Sequence, residues 1–280
     1  MFKNYGRFTS HAVVDTVDGG YEKGTLAGRG DLALILEQAL CSLEDLLSKS
    51  PSHQRRRSQI RGQGVLKYFS SGLRKTGLKE AEHLNRFNTH GNVITILETI
   101  DGGDEKATPA ERGDFGMVLE ATACSLEDLL KKSLLTVVEA KYLTKCMLSS
   151  CYAFEKEHGM HGDVQAKNVA VIFDTGAVKF IDFDAYTDRT SPTDIQGVAR
   201  VIVHATTGLD SRDPNKQTLA LLRINADPDF LAAISALNAT TTLMEELSEP
   251  IRTWIGDPFF RPSNPVQADP PSLLAKVALF

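Results

Sequence analysis

Between His161 and Asp184 the chain sets out oxygen-bearing side chains at intervals that suit one piece of chemistry. The first run is His161-Gly162-Asp163-Val164-Gln165-Ala166-Lys167-Asn168, and the second is Ile181-Asp182-Phe183-Asp184. Asn168 offers an amide oxygen and Asp182 a carboxylate, with Asp163 on the loop just upstream. Hard oxygen ligands held close together, with no imidazole or thiolate among them, suit a magnesium ion that keeps most of its waters and carries phosphate groups.

Local elements must bring these groups together. Val169–Phe173 and Ala177–Ile181 are rich in β-branched and aromatic residues and flank Asp174-Thr175-Gly176, which predicts a hairpin with a three-residue loop. Pairing Phe173 with Ala177 puts Asn168 opposite Asp182, where facing Cβ atoms lie roughly 4.5–5.5 Å apart. Upstream, residues 134–158 carry Leu143, Met147, Cys151 and Phe154 on one helical face, with Gly159 as the stop. That stripe is core. Its work is to hold the Asp163 loop rigid, because a displacement of about an ångström can cost ~100-fold in rate.

His-x-Asp, an Asn five residues later, a hairpin and then Asp-Phe-x together resemble the catalytic loop and metal motif of the protein-kinase superfamily. The resemblance implies that Asp163 is the catalytic base accepting the proton of a substrate hydroxyl, and that Asn168 and Asp182 hold magnesium. Asp184 stands where the family has glycine. Asp114-Phe115-Gly116 spells the metal motif literally, yet it lies upstream and runs into Met117-Val118-Leu119, so it reads as the lead-in to a strand.

The N-terminal half extends the resemblance in order. Gly28-Arg29-Gly30-Asp31-Leu32-Ala33-Leu34-Ile35 is similar to the family's glycine-rich hairpin over the ATP phosphates, with Ala33 for its third glycine and Ile35 for its valine. Val65–Phe69 predicts a strand carrying Lys67, and Leu78, Ala81, Leu84 and Phe87 predict the next helix. The resemblance implies that Lys67 meets the α- and β-phosphates and that Glu80 holds it there, with Glu82 as the competing choice. Val93–Leu97 and Met117–Glu120 read as strands. The second enters Ala121-Thr122-Ala123 and resembles the hinge that binds adenine, implying the Glu120 carbonyl and the Thr122 amide as contacts and Leu119 as the pocket wall.

Other stretches follow the family less closely. Cys41-Ser-Leu-Glu-Asp-Leu-Leu47 is repeated as Cys124–Leu130, and in both copies a serine precedes an acidic residue by three, the mark of a capped helix start. Residues 37–63 have no counterpart in a minimal kinase lobe, and Ser52–Arg61 reads as an exposed basic loop. After Asp184 the chain passes through Tyr186–Thr193 straight into Asp194-Ile195-Gln196-Gly197-Val198, which resembles the helix anchored by aspartate in the family's large lobe. The activation segment and most of the peptide-docking loop are missing, and Gly162 replaces the arginine that pairs with a phosphorylated activation loop. Residues 215–255 read as helical, Trp254–Phe260 resembles the His-Pro-Phe-Phe ending of many protein kinases, and residues 261–280 read as a Pro-rich tail.

The expectation is an α+β, two-lobed protein-kinase-like fold. Residues 1–25 are a lead-in, 26–122 a small β-rich lobe with the insertion 37–63, 123–260 a larger α-helical lobe, and 261–280 the tail. The resemblance implies transfer of the ATP γ-phosphoryl group, with Mg2+, to a hydroxyl of a protein substrate, Ser/Thr or Tyr. A small-molecule phosphotransferase similar to aminoglycoside or choline kinases, which also use His-Gly-Asp, and a nonenzymatic pseudokinase scaffold are the rivals. With 280 residues, 42% of them hydrophobic, the chain can bury a full core. A net charge of −5 argues against nonspecific nucleic-acid binding, and no apolar run reaches membrane-spanning length. Four cysteines without metal-type spacing and an N-terminus unlike a signal peptide predict reduced thiols in helices of an intracellular protein, acting in its own cell or delivered into another.

Overall fold

A computed structural model of the chain describes residues 13–18, 32–36, 64–69, 71–101, 115–172, 175–209, 227–240, 247–256, 273, 275 and 276. Gly28, Gly30, Asp114, the insertion 37–63 with the first copy of the repeat, and most of 261–280 lie outside the described residues. The protein is mixed α and β, in two compact units: residues 1–86 with 95–121, and residues 87–94 with 122–280. Among the described residues no helix is long and apolar enough to cross a membrane.

The first unit is built on one antiparallel sheet. Its strands are β1 (Val13–Asp18), β2 (Leu32–Leu36), β3 (Gly64–Phe69), β4 (Ile96–Asp101) and β5 (Phe115–Glu120), in the order β1-β2-β3-β5-β4. Phe115 opens β5, as expected of a lead-in to a strand. Leu66, Phe69, Phe115, Met117 and Val118 are buried. Helix α1 (Arg74–Arg86) buries Gly77, Glu80, Ala81 and Leu84, a stripe at helical spacing with one carboxylate in it. Arg74 grips Asp101 with two charge-assisted bonds, Nε to Oδ1 at 3.0 Å and Nη2 to Oδ2 at 2.5 Å, and so ties the first turn of α1 to the end of β4.

The strand expected over 93–97 begins later, at Ile96. The backbone groups just before it are used in the second unit, where the Phe180 amide donates to the Asn92 carbonyl and the Ile94 amide to the Phe180 carbonyl, each at 2.9 Å. Val93 and Phe180 form a parallel bridge there.

The second unit contains a small sheet of β6 (Cys124–Ser125), β7 (Val169–Val171) and β8 (Val178–Phe180) and the helices α2 (Leu126–Lys132), α3 (Val137–Lys156), α4 (Thr193–Thr207), α5 (Pro228–Ala239) and α6 (Glu249–Ile255). The capped start read in the repeat is present in its second copy: the Ser125 hydroxyl accepts the Asp128 amide at 3.1 Å. Cys124 thereby sits in a strand and not in a helix, while Cys146 and Cys151 are buried in α3. A reciprocal capping box of Thr136 and Glu139 opens α3. Leu143, Met147, Cys151 and Phe154 are all buried. The left-handed residue that ends the helix is His158, with φ 56°, and not Gly159. In the stretch read as a tail, Leu273 is buried and Lys276 donates to the Leu134 carbonyl and to the buried Glu139 carboxylate, each at 2.7 Å.

Candidate active site

In the first unit, the sheet register sets Lys67 opposite Ala33 on β2 and opposite Met117 on β5, so Ala33 and Ile35 occupy the strand neighbouring the lysine. The ammonium group lies 2.9 Å from Oε1 and 2.8 Å from Oε2 of Glu80 and 5.4 Å from the centre of the Phe69 ring. Glu80 is the partner and Glu82 is not: Glu82 is exposed and pairs with Arg86 one turn on. A carboxylate buried on the inner stripe of α1 is stable only when matched by a cation, and Lys67 is that cation. Leu119 is buried on β5, between Val65 of β3 and Ile96 of β4, and the Glu120 side chain is turned back to accept the Thr95 amide at 2.7 Å. Thr122, half-buried, begins the second unit's long segment.

The second unit assembles the His161 loop around Asp194. Its carboxylate, 4% exposed, accepts the His161 amide at 2.6 Å and the Gly162 amide at 3.0 Å. The His161 ring is fully buried; its Nε2 lies 3.0 Å from the Ile181 carbonyl, and Nδ1 faces the Asp163 amide at 3.4 Å. Those partners assign the proton to Nε2, in a neutral ring. Burial pushes the imidazole down from its ordinary value, and burial pushes the Asp194 carboxyl up. The ring is thus a fixed strut joining the loop to the segment that carries Asp182.

Asp163 stands at the open end of this loop. Its Oδ1 accepts Gln165 Nε2 at 2.5 Å and its Oδ2 accepts Asn168 Nδ2 at 2.8 Å, while the Lys167 ammonium is 4.0 Å away. Asn168 Nδ2 also donates to the Asp163 carbonyl at 2.9 Å. With the amide nitrogen committed to Asp163, the oxygen of Asn168 is the end that can meet a cation.

The hairpin differs from the expected register by one residue. Val169 pairs with Phe180 and Val171 with Val178; beyond them the Ile172 amide donates to the Ala177 carbonyl and the Gly176 amide to the Ile172 carbonyl, each at 2.9 Å. A one-residue shift turns every side chain to the other face, and Asn168 now lies opposite Ile181, whose amide donates to its carbonyl at 3.0 Å. Asp182 leaves the ladder through a left-handed backbone, φ 63°. Its carboxylate oxygen and that of Asp184 come within 4.8 Å of each other, a pair of hard oxygen donors that could hold a cation. Asp184 thus joins the metal-binding candidates. Resemblance could not point to it, because Asp184 stands where the protein-kinase motif has a glycine, which contributes no side chain.

Gly162 also has a physical reason. It has φ 82°, and a Cβ there would meet the Ala185 carbonyl oxygen at 2.5 Å, so an arginine has no room in this backbone. Comparison with known protein families and with curated protein sequences finds no match.

Proposed function

We propose that the chain is an ATP- and magnesium-dependent phosphotransferase of protein-kinase-like, two-lobed fold that transfers the γ-phosphoryl group to a hydroxyl of a protein substrate. The observation that carries this reading is the Asp163–Asn168 contact on a loop whose backbone amides are held by the buried Asp194. Few structural needs explain a carboxylate kept accepting and half exposed by an amide, a glutamine and such a rigid support. A general base needs that placement. The Lys67–Glu80 pair supports it, because a buried glutamate that fixes one lysine rotamer is what presentation of an ammonium group to phosphates requires.

In this reading the substrate hydroxyl gives its proton to an Asp163 carboxylate oxygen as its own oxygen bonds to the γ-phosphorus. The bond from the γ-phosphorus to the bridging oxygen breaks, and the electron pair leaves with ADP. The Asn168 and Gln165 amides hold the Asp163 carboxylate in one rotamer for that transfer. Lys67 presents its charge to the α- and β-phosphates. Asn168 and Asp182 offer oxygen donors only, which fits magnesium; magnesium, when bound, neutralises the phosphate oxygens. Positioning and charge neutralisation supply most of the acceleration.

A second reading, a small-molecule phosphotransferase, is favoured by one feature. Only residues 185–192 separate Asp184 from the first residue of α4, which leaves little chain to dock a peptide. Incubating the protein with labelled ATP, a protein mixture and a panel of small alcohols separates the two. Label on protein that disappears in Asp163→Asn supports the first reading, and label on small molecules alone supports the second. Absence of magnesium-dependent nucleotide binding refutes both.

A further inference from the structure

The metal-motif segment continues past Asp184 into contacts that the catalytic reading leaves unused. Tyr186 is 1% exposed and stacks on Phe183, ring centres 5.8 Å apart and planes 21° apart. The same ring lies 5.7 Å from Phe87 and 6.1 Å from Phe154, which places it in the aromatic core beneath the Asp163 loop. Its hydroxyl end abuts Gly159, where a Cβ would come within 1.9 Å of it, so position 159 is small to admit this side chain. One residue on, the Thr187 amide and carbonyl pair with the Met160 carbonyl and amide at 3.1 and 3.0 Å, directly ahead of His161.

We propose that Tyr186 is a positioning residue for the metal motif: through its stack on Phe183, and fastened by the Thr187–Met160 backbone pair, it fixes the left-handed turn at Asp182. Asp182 and Phe183 are adjacent, so a Phe183 ring that cannot shift leaves Asp182 one direction in which to point. A non-glycine residue at φ 63° persists only where its surroundings over-determine it, and the stack supplies that determination. In this short segment an aromatic clamp stands in for contacts that a longer loop would make. The proposal rests on the phosphotransferase reading, since it concerns the site of the same cation.

The test uses the full chain with a nonhydrolysable ATP analogue and follows Mn2+ binding by electron paramagnetic resonance, alongside the Mg2+ concentration for half-maximal rate. Tyr186→Leu, which keeps an apolar filler without the stack, is expected to weaken metal binding by about 10–100-fold, the range seen when a residue supporting a metal ligand is lost. Tyr186→Phe is expected to restore it to within about twofold. Gly159→Ala, which displaces the ring without removing it, is expected to weaken metal binding in the same direction and serves if Tyr186→Leu does not fold. Lowered melting temperature with unchanged metal binding in Tyr186→Leu, or in Gly159→Ala, overturns the proposal and leaves the phosphotransferase reading standing. A wild-type chain that binds no metal-nucleotide complex overturns both.

Discussion

Replacing Asp194 tests the support of the candidate site, first through stability and then, on the proposed reading, through rate. Its carboxylate is the acceptor for two successive backbone amides, those of His161 and Gly162, at 2.6 and 3.0 Å and 4% exposure. Hydrogen bonds to a charged group contribute about 1.5–3 kcal/mol each, and a buried donor left unmade costs about 1–3 kcal/mol. The two bonds share one carboxylate and are not additive, so Asp194→Ala is expected to lower stability by about 3–5 kcal/mol. Asp194→Asn keeps one acceptor oxygen but turns an N–H group toward a backbone N–H, and about 1.5–3 kcal/mol is expected. Urea unfolding measures both, with an unchanged slope showing that stability changed without a change in the surface exposed on unfolding. In Asp194→Asn protein that is still folded, the loosened loop is expected to lower kcat by about 100-fold, the cost of a misplacement near an ångström. An Asp194→Ala unfolding free energy within about 0.5 kcal/mol of wild type would refute the reasoning.

The remaining predictions follow from other contacts. Glu80→Gln removes the carboxylate charge that faces the Lys67 ammonium and is expected to cost about 3 kcal/mol in chemical unfolding; the double change Lys67→Met with Glu80→Leu is expected to restore stability and, on the proposed reading, to abolish phosphotransfer. Gly162→Ala forces a side chain into the left-handed region and against the Ala185 carbonyl, with an expected loss of about 1–3 kcal/mol by thermal or urea melts. Because burial lowers the His161 pKa, the unfolded chain binds the extra proton and stability falls as pH drops below the ordinary imidazole value. At one pH unit below that value the loss from this group is at most about 1.4 kcal/mol, and His161→Asn is expected to flatten that part of the stability–pH curve.

Much of this arrangement was legible in the sequence because it is local or carried by residue type. The spacing of Ser125 and Asp128 announces a capped helix, and the period of Leu143, Met147, Cys151 and Phe154 announces the buried face of α3. The order Asp163, Asn168, hairpin, Asp182 singled out side chains of the donor type that the proposed chemistry needs, since donor type is written in the side chain. Lys67 and Glu80 were nominated by resemblance and then found in contact, the sheet and α1 bringing together residues thirteen apart.

What depended on the third dimension concerns exits, neighbours and single-residue shifts. The hairpin register turned on whether the last pair was Phe173–Ala177 or Ile172–Ala177, a difference that composition cannot resolve because both fit the alternation of apolar residues. That shift, and the left-handed backbone at Asp182, decide where the carboxylate points. Val93 was read as strand and instead faces Phe180 in a bridge whose hydrogen bonds come from its neighbours Asn92 and Ile94, because a backbone group takes its partner from whatever element lies beside it. Gly159 was read as a helix stop, whereas its small size serves Tyr186 from a distant stretch of chain. Residue types fixed which chemistry was possible; packing between segments far apart in sequence decided which side chains share a point in space, since burial and hydrogen bonding act on neighbours in space and not on neighbours in the chain.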